Sequence, residues 1–399
     1  MNKLTIKNID LKGKRLLMRV DFNVPLDEKQ QISDDKRIKA SLPSIQYAIE
    51  QGARVILMSH MGRPDGKVVP EMSMKPVAVR LGELLGKPVA FAPDCVGPEV
   101  ETMSKSLKDG DVMVLENLRF HAEEEANDPE FAKKLSLLGD VYANDAFGTA
   151  HRAHASTAGV TKYFKQSASG FLMEKELNYL GTAVGNPARP YVAILGGAKI
   201  SDKIPMIKNF VNKVDKLIIG GGMAYTFLKA QGHPIGKSLL DAASLEFAGQ
   251  ILKEKGDKIV LPVDCLVSDL FDFKARKIGQ TKVVSADAIP DGWQGLDVGP
   301  KTIEQFKQVL STAKTIVWNG PVGVFELPET AKGTLAIAAL LAELTAKGAI
   351  TIIGGGDSAS AVKKAGVASK MSHVSTGGGA SLEFLQGELL PGVEALTNA

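Results

Sequence analysis

Ile350-Thr351-Ile352-Ile353-Gly354-Gly355-Gly356-Asp357-Ser358 is a short apolar run that stops at three glycines and an acid. Such a run, with almost no polar face, predicts a strand covered on both sides, as in a parallel sheet. The glycines predict a turn whose backbone can lie close to a ligand before a helix begins. Upstream, Glu329–Lys347 has helical period, so the local order is helix, strand, glycine turn, helix.

The same rhythm runs along the chain. Strands are predicted at Arg15–Phe22, Arg54–Ser59, Val112–Leu115, Val192–Leu195, Lys216–Ile219, Ile259–Pro262, Thr315–Trp318 and Ile350–Ile353. Helices are predicted at Lys36–Glu50, Lys75–Leu85, Phe171–Val184, Leu240–Lys255, Lys301–Leu310 and Glu329–Lys347, with Ser201, Asp241 and Thr330 or Glu329 as candidate caps. The fold class is therefore α/β, two doubly wound parallel-sheet (Rossmann-like) domains joined by a helix and hinge. Gly185-Asn186-Pro187-Ala188-Arg189-Pro190 is the linker sequence between them. No short repeat, heptad array or low-complexity tract interrupts the pattern.

Composition narrows the function. The 399 residues are 44% hydrophobic and 23% charged, which excludes a disordered chain. Two cysteines, Cys95 and Cys265, cannot staple a fold of this size. A net charge of +3 from 48 basic and 45 acidic residues argues against nucleic-acid binding as the main task. The start has no apolar h-region, and the apolar run Leu335–Ala342 ends at Glu343, so no membrane span and a cytoplasmic, reduced, soluble protein are expected. The residue types are unevenly spread: residues 1–170 hold 8 of the 10 arginines, and residues 171–399 hold 28 of the 40 glycines. Two halves with two different ligands are implied.

In the arginine half, polar residues gather where strands end. Arg19-Val20-Asp21-Phe22-Asn23-Val24-Pro25 puts Arg19, Asp21 and Asn23 on one face by period-2 alternation. An edge strand with one wet face is the bland alternative. The pattern recurs at His60-Met61-Gly62-Arg63, at Glu116-Asn117-Leu118-Arg119, at Asp145 to His154 and at Asp34-Asp35-Lys36-Arg37. Arginine is a rigid, always-charged fork, and four of them at element ends suggest a small polyanion. His151-Arg152-Ala153-His154 could suggest zinc, but it lacks a nearby third ligand, and hydrogen bonding is the better reading. Glu123-Glu124-Glu125 reads as a solvated helix start.

In the glycine half, strands run into Gly196-Gly197-Ala198-Lys199, Gly220-Gly221-Gly222, Gly354-Gly355-Gly356-Asp357 and Gly377-Gly378-Gly379. Four such turns, one with Lys199 and Lys203 and one with an aspartate, suggest a nucleotide polyphosphate and its metal. Gly232-His233-Pro234-Ile235-Gly236-Lys237-Ser238 resembles a P-loop but has Gln231 where the first glycine belongs, so it is a decoy. No Gly-x-Gly-x-x-Gly occurs among the clusters, which disfavours a dehydrogenase.

On Arg19–Pro25, and on Trp318-Asn319-Gly320-Pro321-Val322-Gly323-Val324-Phe325-Glu326, the chain resembles the phosphoglycerate kinase family over essentially its whole length. The resemblance implies reversible transfer of the acyl phosphate of 1,3-bisphosphoglycerate to Mg-ADP, giving 3-phosphoglycerate and Mg-ATP, by a monomer that acts in glycolysis. It implies that Asp21, Asn23 and Arg37 hold the glycerate end, with His60, Arg63, Arg119 and Arg152 on the 3-phosphate. The nucleotide residues it implies are Gly197, Lys199, Lys203, Gly221, Gly295, Asn319, Glu326, Gly354, Gly355, Gly356, Asp357 and Ser358. Of these, Glu326 belongs to the ribose and Asp357 to Mg2+. Arg37, Lys199, Lys203 and Gly378 are the implied catalytic group. Trp293-Gln294-Gly295 departs from the family form, which has Met at the position of Gln294. The implied organisation is an acidic-substrate domain at 1–171, a linker helix at 172–186, a nucleotide domain at 187–379, and a tail at 380–399 returning to the first domain. A binding protein without turnover is the rival from another class; cations expected in both halves argue against it.

Overall fold

In the computed structural model, which describes residues 2–399, the apolar runs become two parallel sheets. The first holds β1 (Arg15–Arg19), β2 (Arg54–Met58), β3 (Ala90–Phe91), β4 (Val112–Val114), β5 (Val141–Asn144) and β6 (Ser167–Ser169), in spatial order β3-β4-β2-β1-β5-β6. Every pairing is parallel, with Leu16 opposite Val55 on one side and Val141 on the other. The helices α1 (Lys36–Glu50), α2 (Lys75–Leu85), α3 (Pro98–Ser106), α4 (Ala122–Glu125) and α5 (Pro129–Ser136) make the crossovers. The chain leaves β1 toward β2 and later returns to β5 on its other flank. The carboxyl ends of β1 and β5 therefore border a topological switch point, where such sheets bind ligands.

The linker helix α6 (Phe171–Val184) follows. Beyond it come β7 (Tyr191–Leu195), β8 (Lys216–Ile219) and β9 (Ile259–Val260). Next are the short antiparallel strands β10 (Asp264–Ser268), β11 (Phe271–Asp272), β12 (Lys277–Ile278), β13 (Thr281–Ser285) and β14 (Gln294–Val298), then β15 (Thr315–Asn319), β16 (Ile350–Gly354) and β17 (His373–Val374). The second parallel sheet runs β17-β16-β15-β7-β8-β9, with its switch point between β7 and β15. Its crossovers are α7 (Ile204–Lys213), α8 (Met223–Ala230), α9 (Leu245–Lys255), α10 (Pro300–Ser311), α11 (Lys332–Ala346) and α12 (Gly356–Lys364), and α13 (Gly379–Gln386) follows β17. Each sheet has its own core, one around Leu16, Val55 and Ile45, the other around Trp318, Ile194 and Leu341. Among the described residues, no helix is long and apolar enough to cross a membrane.

Several boundaries differ from the sequence reading for local reasons. β1 stops at Arg19 because, after a last bond from Val20 N–H to Met58 O (3.1 Å), later amides turn to side chains: Phe22 N–H donates to Ser59 Oγ (2.9 Å) and Asn23 N–H to Asp21 Oδ1 (3.3 Å). The segment 240–255 starts with a 3-10 turn at Ala242–Ser244 before α9, and 329–347 with one at Pro328–Thr330 before α11. The proposed caps do other work. Asp241 accepts from Ser201 N–H and from Ser244 Oγ (both 2.9 Å), while Thr330 Oγ1 donates to Val324 O (2.5 Å). The antiparallel sheet β13-β10-β14 was not anticipated; its outer strand β13 is largely exposed and shows no apolar period.

The chain divides into two compact units, one reaching Asn178 and resuming at Leu389, the other spanning Tyr179–Glu388. The division falls inside α6, within the linker helix expected at 172–186, and the first unit resumes at Leu389, inside the expected tail. α13 stays with the second unit, where Asn209 Nδ2 donates to Leu385 O (2.6 Å). The last residues are stitched into the first unit, through Gly392 N–H to Ala150 O (2.8 Å), Thr397 N–H to Ser167 O (2.9 Å) and Leu4 N–H to Thr397 O (2.9 Å).

One buried carboxylate ties the antiparallel sheet to α10. Asp264 accepts from Lys301 N–H (3.0 Å), Thr302 N–H (2.8 Å) and Thr302 Oγ1 (2.7 Å). Asp264→Ala removes this cap and is expected to destabilise the second unit by about 1–3 kcal/mol. At roughly 2–4 °C per kcal/mol, the melting temperature then falls by about 2–12 °C. Differential scanning calorimetry checks it; an unchanged transition contradicts the assignment.

Candidate active site

In the first unit the strand ends converge on a cluster of cations. Arg19 ends β1 with none of its surface exposed. It donates through Nε to Ser156 Oγ (2.9 Å), through Nη1 to the carbonyl of Val20, and through Nη2 to His60 Nδ1 (3.1 Å). A guanidinium only donates, so His60 Nδ1 accepts and the ring proton sits on Nε2. Ser156 also passes its hydroxyl to Glu124 Oε1 (2.5 Å) and its amide to Glu124 Oε2 (2.9 Å). Glu124 is fully buried, and burial raises its pKa while Arg19 and Ser156 draw it back. The sequence reading of Glu124 as a solvated helix start is therefore corrected: it is the counter-charge of a buried arginine.

Around this core stand the anticipated residues. Arg37, in the first turn of α1, pairs with Asp21 (2.5 Å) and keeps an exposed side chain. Asn23 Oδ1 accepts from Gly62 N–H (3.0 Å), and Gly62 O accepts from Arg119 Nη1 (2.9 Å). Arg119 is buried, with Nε 3.2 Å from Glu125 Oε1. Arg152 donates to His151 Nε2 (3.3 Å), a neutral partner. Arg63 is exposed, one residue beyond Gly62, and among the described residues neither it nor Arg152 has a carboxylate partner. Burial and then Arg19, Arg119 and Arg37 hold the His60 imidazole well below its ordinary range. Burial and then Arg19, Arg119 and Arg152 push His154 down to about 4. Two imidazoles held toward the neutral form stand among five arginines, of which Arg63 and Arg152 have no carboxylate partner among the described residues, so the site has cation to spare. A cavity of about 850 Å³ between α1 and α2 is lined by none of these groups except the start of α1, so the chemistry does not lie there.

In the second unit the turns after β7, β8 and β15 pack backbone on backbone. A Cβ on Gly196 would stand 2.0 Å from Pro321 O, and one on Gly320 2.2 Å from Gly196 O. Those glycines serve the packing of turn on turn. Gly295 likewise lies against the Tyr225 phenol, and Gly221 against Gly197. Open space remains over Gly197, Gly356 and Gly378, with nothing within 4 Å of a Cβ there. Gly378 caps α13 at φ 52° and ψ −116°, a conformation reserved for glycine.

Lys203 reaches this rim from a 3-10 turn and donates to Asn319 Oδ1 at the end of β15. Burial lowers the Lys203 pKa, and Asp202 and Asp357 counteract. The other amide end, Asn319 Nδ2, is buried without a partner among the described residues, beside Gly354 and Gly355. An orphaned donor at a glycine turn is a place for an anionic oxygen. Asp357, in the first turn of α12, is exposed and not engaged in a hydrogen bond or ion pair among the described residues. Ser358, by contrast, is buried and accepts Gly320 N–H (2.6 Å), so its hydroxyl ties two turns together. Lys199 and Glu326 are exposed. The P-loop look-alike is pinned to the 289–295 segment, with Lys237 N–H on Trp293 O (2.7 Å).

Sequence reasoning placed these groups at strand ends but gave no role to Arg19, Glu124, Ser156 or His154 in the cluster. The signal was available in part, since Arg19 heads the quoted motif. Arg15, Arg54 and Arg80, which had no role, pair with Asp140 (2.7 Å), Asp109 (3.0 Å) and Asp35 (2.8 Å).

Residues 6–388 match the family model described as phosphoglycerate kinase. A phosphoglycerate kinase of Chloroherpeton thalassium is 58% identical, covering 100% of both chains. A cytosolic phosphoglycerate kinase of Triticum aestivum is 58% identical over 99% of this chain and 98% of its own. Among solved structures, phosphoglycerate kinase from Coxiella burnetii aligns with a TM-score of 0.90 at 42% identity, covering 98% of each chain. With the arginine cluster in one unit and the lysine–glycine rim in the other, the chain belongs to the phosphoglycerate kinase family.

Proposed function

We propose that the chain transfers the acyl phosphate of 1,3-bisphosphoglycerate to Mg-ADP, reversibly, giving 3-phosphoglycerate and Mg-ATP. The observation that carries this reading is the arginine–histidine cluster at the carboxyl ends of the first sheet, in a member of this family. Arg63, Arg119, Arg152 and the Nε2–H of His60 take the 3-phosphate, each charge-assisted bond contributing about 1.5–3 kcal/mol. Asp21 orients Arg37, whose remaining N–H groups face the glycerate carboxyl or acyl phosphate, and Asn23 serves the hydroxyl. The nucleotide occupies the second unit, its phosphates over Gly197, Gly354, Gly355 and Gly356, with Lys199, Lys203 and Asn319 Nδ2 as donors and Glu326 on the ribose. Gly221, Gly295 and Ser358 shape that rim.

The exposed, unengaged carboxylate of Asp357 suits Mg2+, a hard cation that prefers oxygen ligands. When bound with the nucleotide, the ion neutralises phosphate charge. The reacting carboxylate is already ionised, so no general base is required, and catalysis rests on positioning and charge. Lys203, fixed by Asn319, and Arg37 stabilise the oxygens of the transferring group. The backbone amides that follow Gly378 add to this. The two ligands belong to different units, so turnover calls for a hinge-bending step, and α6, shared by both units, is the candidate hinge. A cytoplasmic monomer is the setting we assign, in line with the cytosolic relative.

A coupled assay of ATP formation from 1,3-bisphosphoglycerate and ADP tests the reaction; no turnover by folded protein with Mg2+ present overturns it. Arg37→Ala is expected to lower turnover on the order of 10²–10⁵-fold, as for other fixed cations and oxyanion donors. Its nucleotide dissociation constant, read by calorimetry, stays unchanged. Equal turnover removes Arg37 from the mechanism.

The histidines give a pH prediction. His154 titrates near 4 in the folded chain against about 6.5 when unfolded, and His60 is shifted the same way. Between these values the unfolded chain binds more protons, so stability falls as pH drops from about 6.5 toward 4. A bound phosphate offsets the arginine field and raises both pKa values. Because the phosphate of 3-phosphoglycerate itself titrates at about 6, the rise is read at the rings, by NMR titration of the His60 and His154 resonances with and without the ligand. Ring pKa values that stay unchanged or fall contradict the placement of the anion.

A further inference from the structure

Asp94, Cys95 and His121 lie outside the transfer site, yet they form a cluster of metal-ligating side chains. Asp94 and Cys95 sit on the loop between β3 and α3, and His121 sits between the turn that follows β4 and α4. β3 and β4 are paired neighbours, Phe91 opposite Val114, which brings their loops side by side. One ligand atom from each of the three side chains lies within 4.8 Å of the others. The parts are already oriented. Asp94 Oδ1 accepts from His121 Nε2 (2.7 Å) and from Cys95 N–H (2.6 Å), and the His121 ring packs 5.2 Å from that of Phe131. Asp94 and His121 are partly exposed, so the cluster opens to solvent on that side, while the Cys95 sulfur closes its floor.

We infer that Asp94, Cys95 and His121 form a binding site for a borderline-soft divalent cation such as Zn2+, separate from the Mg2+ of the nucleotide. Bond lengths of 2.0–2.3 Å put the ligand atoms of a tetrahedral zinc about 3.3–3.8 Å apart, so the hydrogen-bonded Asp94 Oδ1 and His121 Nε2, now 2.7 Å apart, open by about 0.6 Å while the sulfur closes by up to about 1 Å. Thiolate, imidazole and carboxylate are each zinc ligands, and three protein ligands leave the fourth position to water. A hard cation would prefer oxygen alone. Charge also balances: the thiol releases its proton to solvent, and thiolate and carboxylate cancel the ion's two charges. Glu123 and Glu124 act electrostatically on the same cluster in favour of a cation, against Lys134, which acts on His121 in the opposite sense. Occupancy would clip the β3 loop to the turn carrying Arg119, which ends one residue before His121.

Titrating the full-length, chelator-treated chain with Co2+ alone tests the site. A thiolate-to-cobalt charge-transfer band that saturates at one equivalent and is displaced by Zn2+ supports it. Cys95→Ser abolishes the band and Cys265→Ser leaves it intact. Because serine at the buried Cys95 can disturb the core, the more exposed positions supply a second arm. Asp94→Asn and His121→Ala each weaken Co2+ binding by at least about 10-fold. No band in the unaltered chain, a band that survives Cys95→Ser, or affinity unchanged in both Asp94→Asn and His121→Ala overturns the assignment.

Discussion

The first unit depends on how it carries a guanidinium inside protein. Moving such a charge out of water costs several kcal/mol even after relaxation, and the cost is met only by pairing and hydrogen bonding. Arg19 is supplied from three places: Val20 beside it, His60 at the end of β2, and Ser156 beyond β5, with Glu124 of α4 behind the serine. Loops that have nothing else in common in sequence are thereby held at one point. The positions of Arg119 and Arg152 follow, since Gly62 and the 145–157 loop are fixed by the same arrangement. Arg19 is thus the support on which the neighbouring cations rest, and burial, with its field second, holds both histidines toward the neutral form.

The second unit solves the opposite problem with almost no charge. Its turns approach one another until carbonyls of one stand where the Cβ of another would be, as at Gly196 and Pro321. That contact leaves backbone amides and a single orphaned amide donor, Asn319 Nδ2, along the rim. Lys203 is the partly buried cation there, and Asn319 holds it by the other end of the same amide. The two surfaces differ accordingly in residue type.

Much of this could be read in the sequence because it is local. Apolar runs of strand length, helical period between them and glycine at strand ends are properties of neighbouring residues, and both parallel sheets follow from them. α1, α2 and α6 fall at the anticipated bounds. What could not be read depends on distant partners. Glu124 looks solvated because it sits in a run of three glutamates at a helix start; only Ser156 and Arg19, far away in sequence, make it a buried counter-ion. Ser358, which the resemblance assigns to the nucleotide, also accepts Gly320 N–H and so ties two turns together, a role that no local pattern announces. The exposed strand β13 has no apolar face to announce it. Family resemblance added the chemical identity of the ligands, which neither periodicity nor composition contains.

The histidines show why residue type alone misleads. His151-Arg152-Ala153-His154 has metal-like spacing, but arginine stands between its histidines and Arg19 and Arg119 act on His154. A cation has no reason to enter such a field. His121 has no suggestive spacing at all, yet it faces Asp94 and Cys95 from a neighbouring loop, with two glutamates nearby. Both histidine groups lie beyond strand ends of one parallel sheet. The charge gathered around each ring, set by which loops the strand order makes adjacent, differs accordingly: arginines act on His154, while Asp94 and Glu123 act on His121.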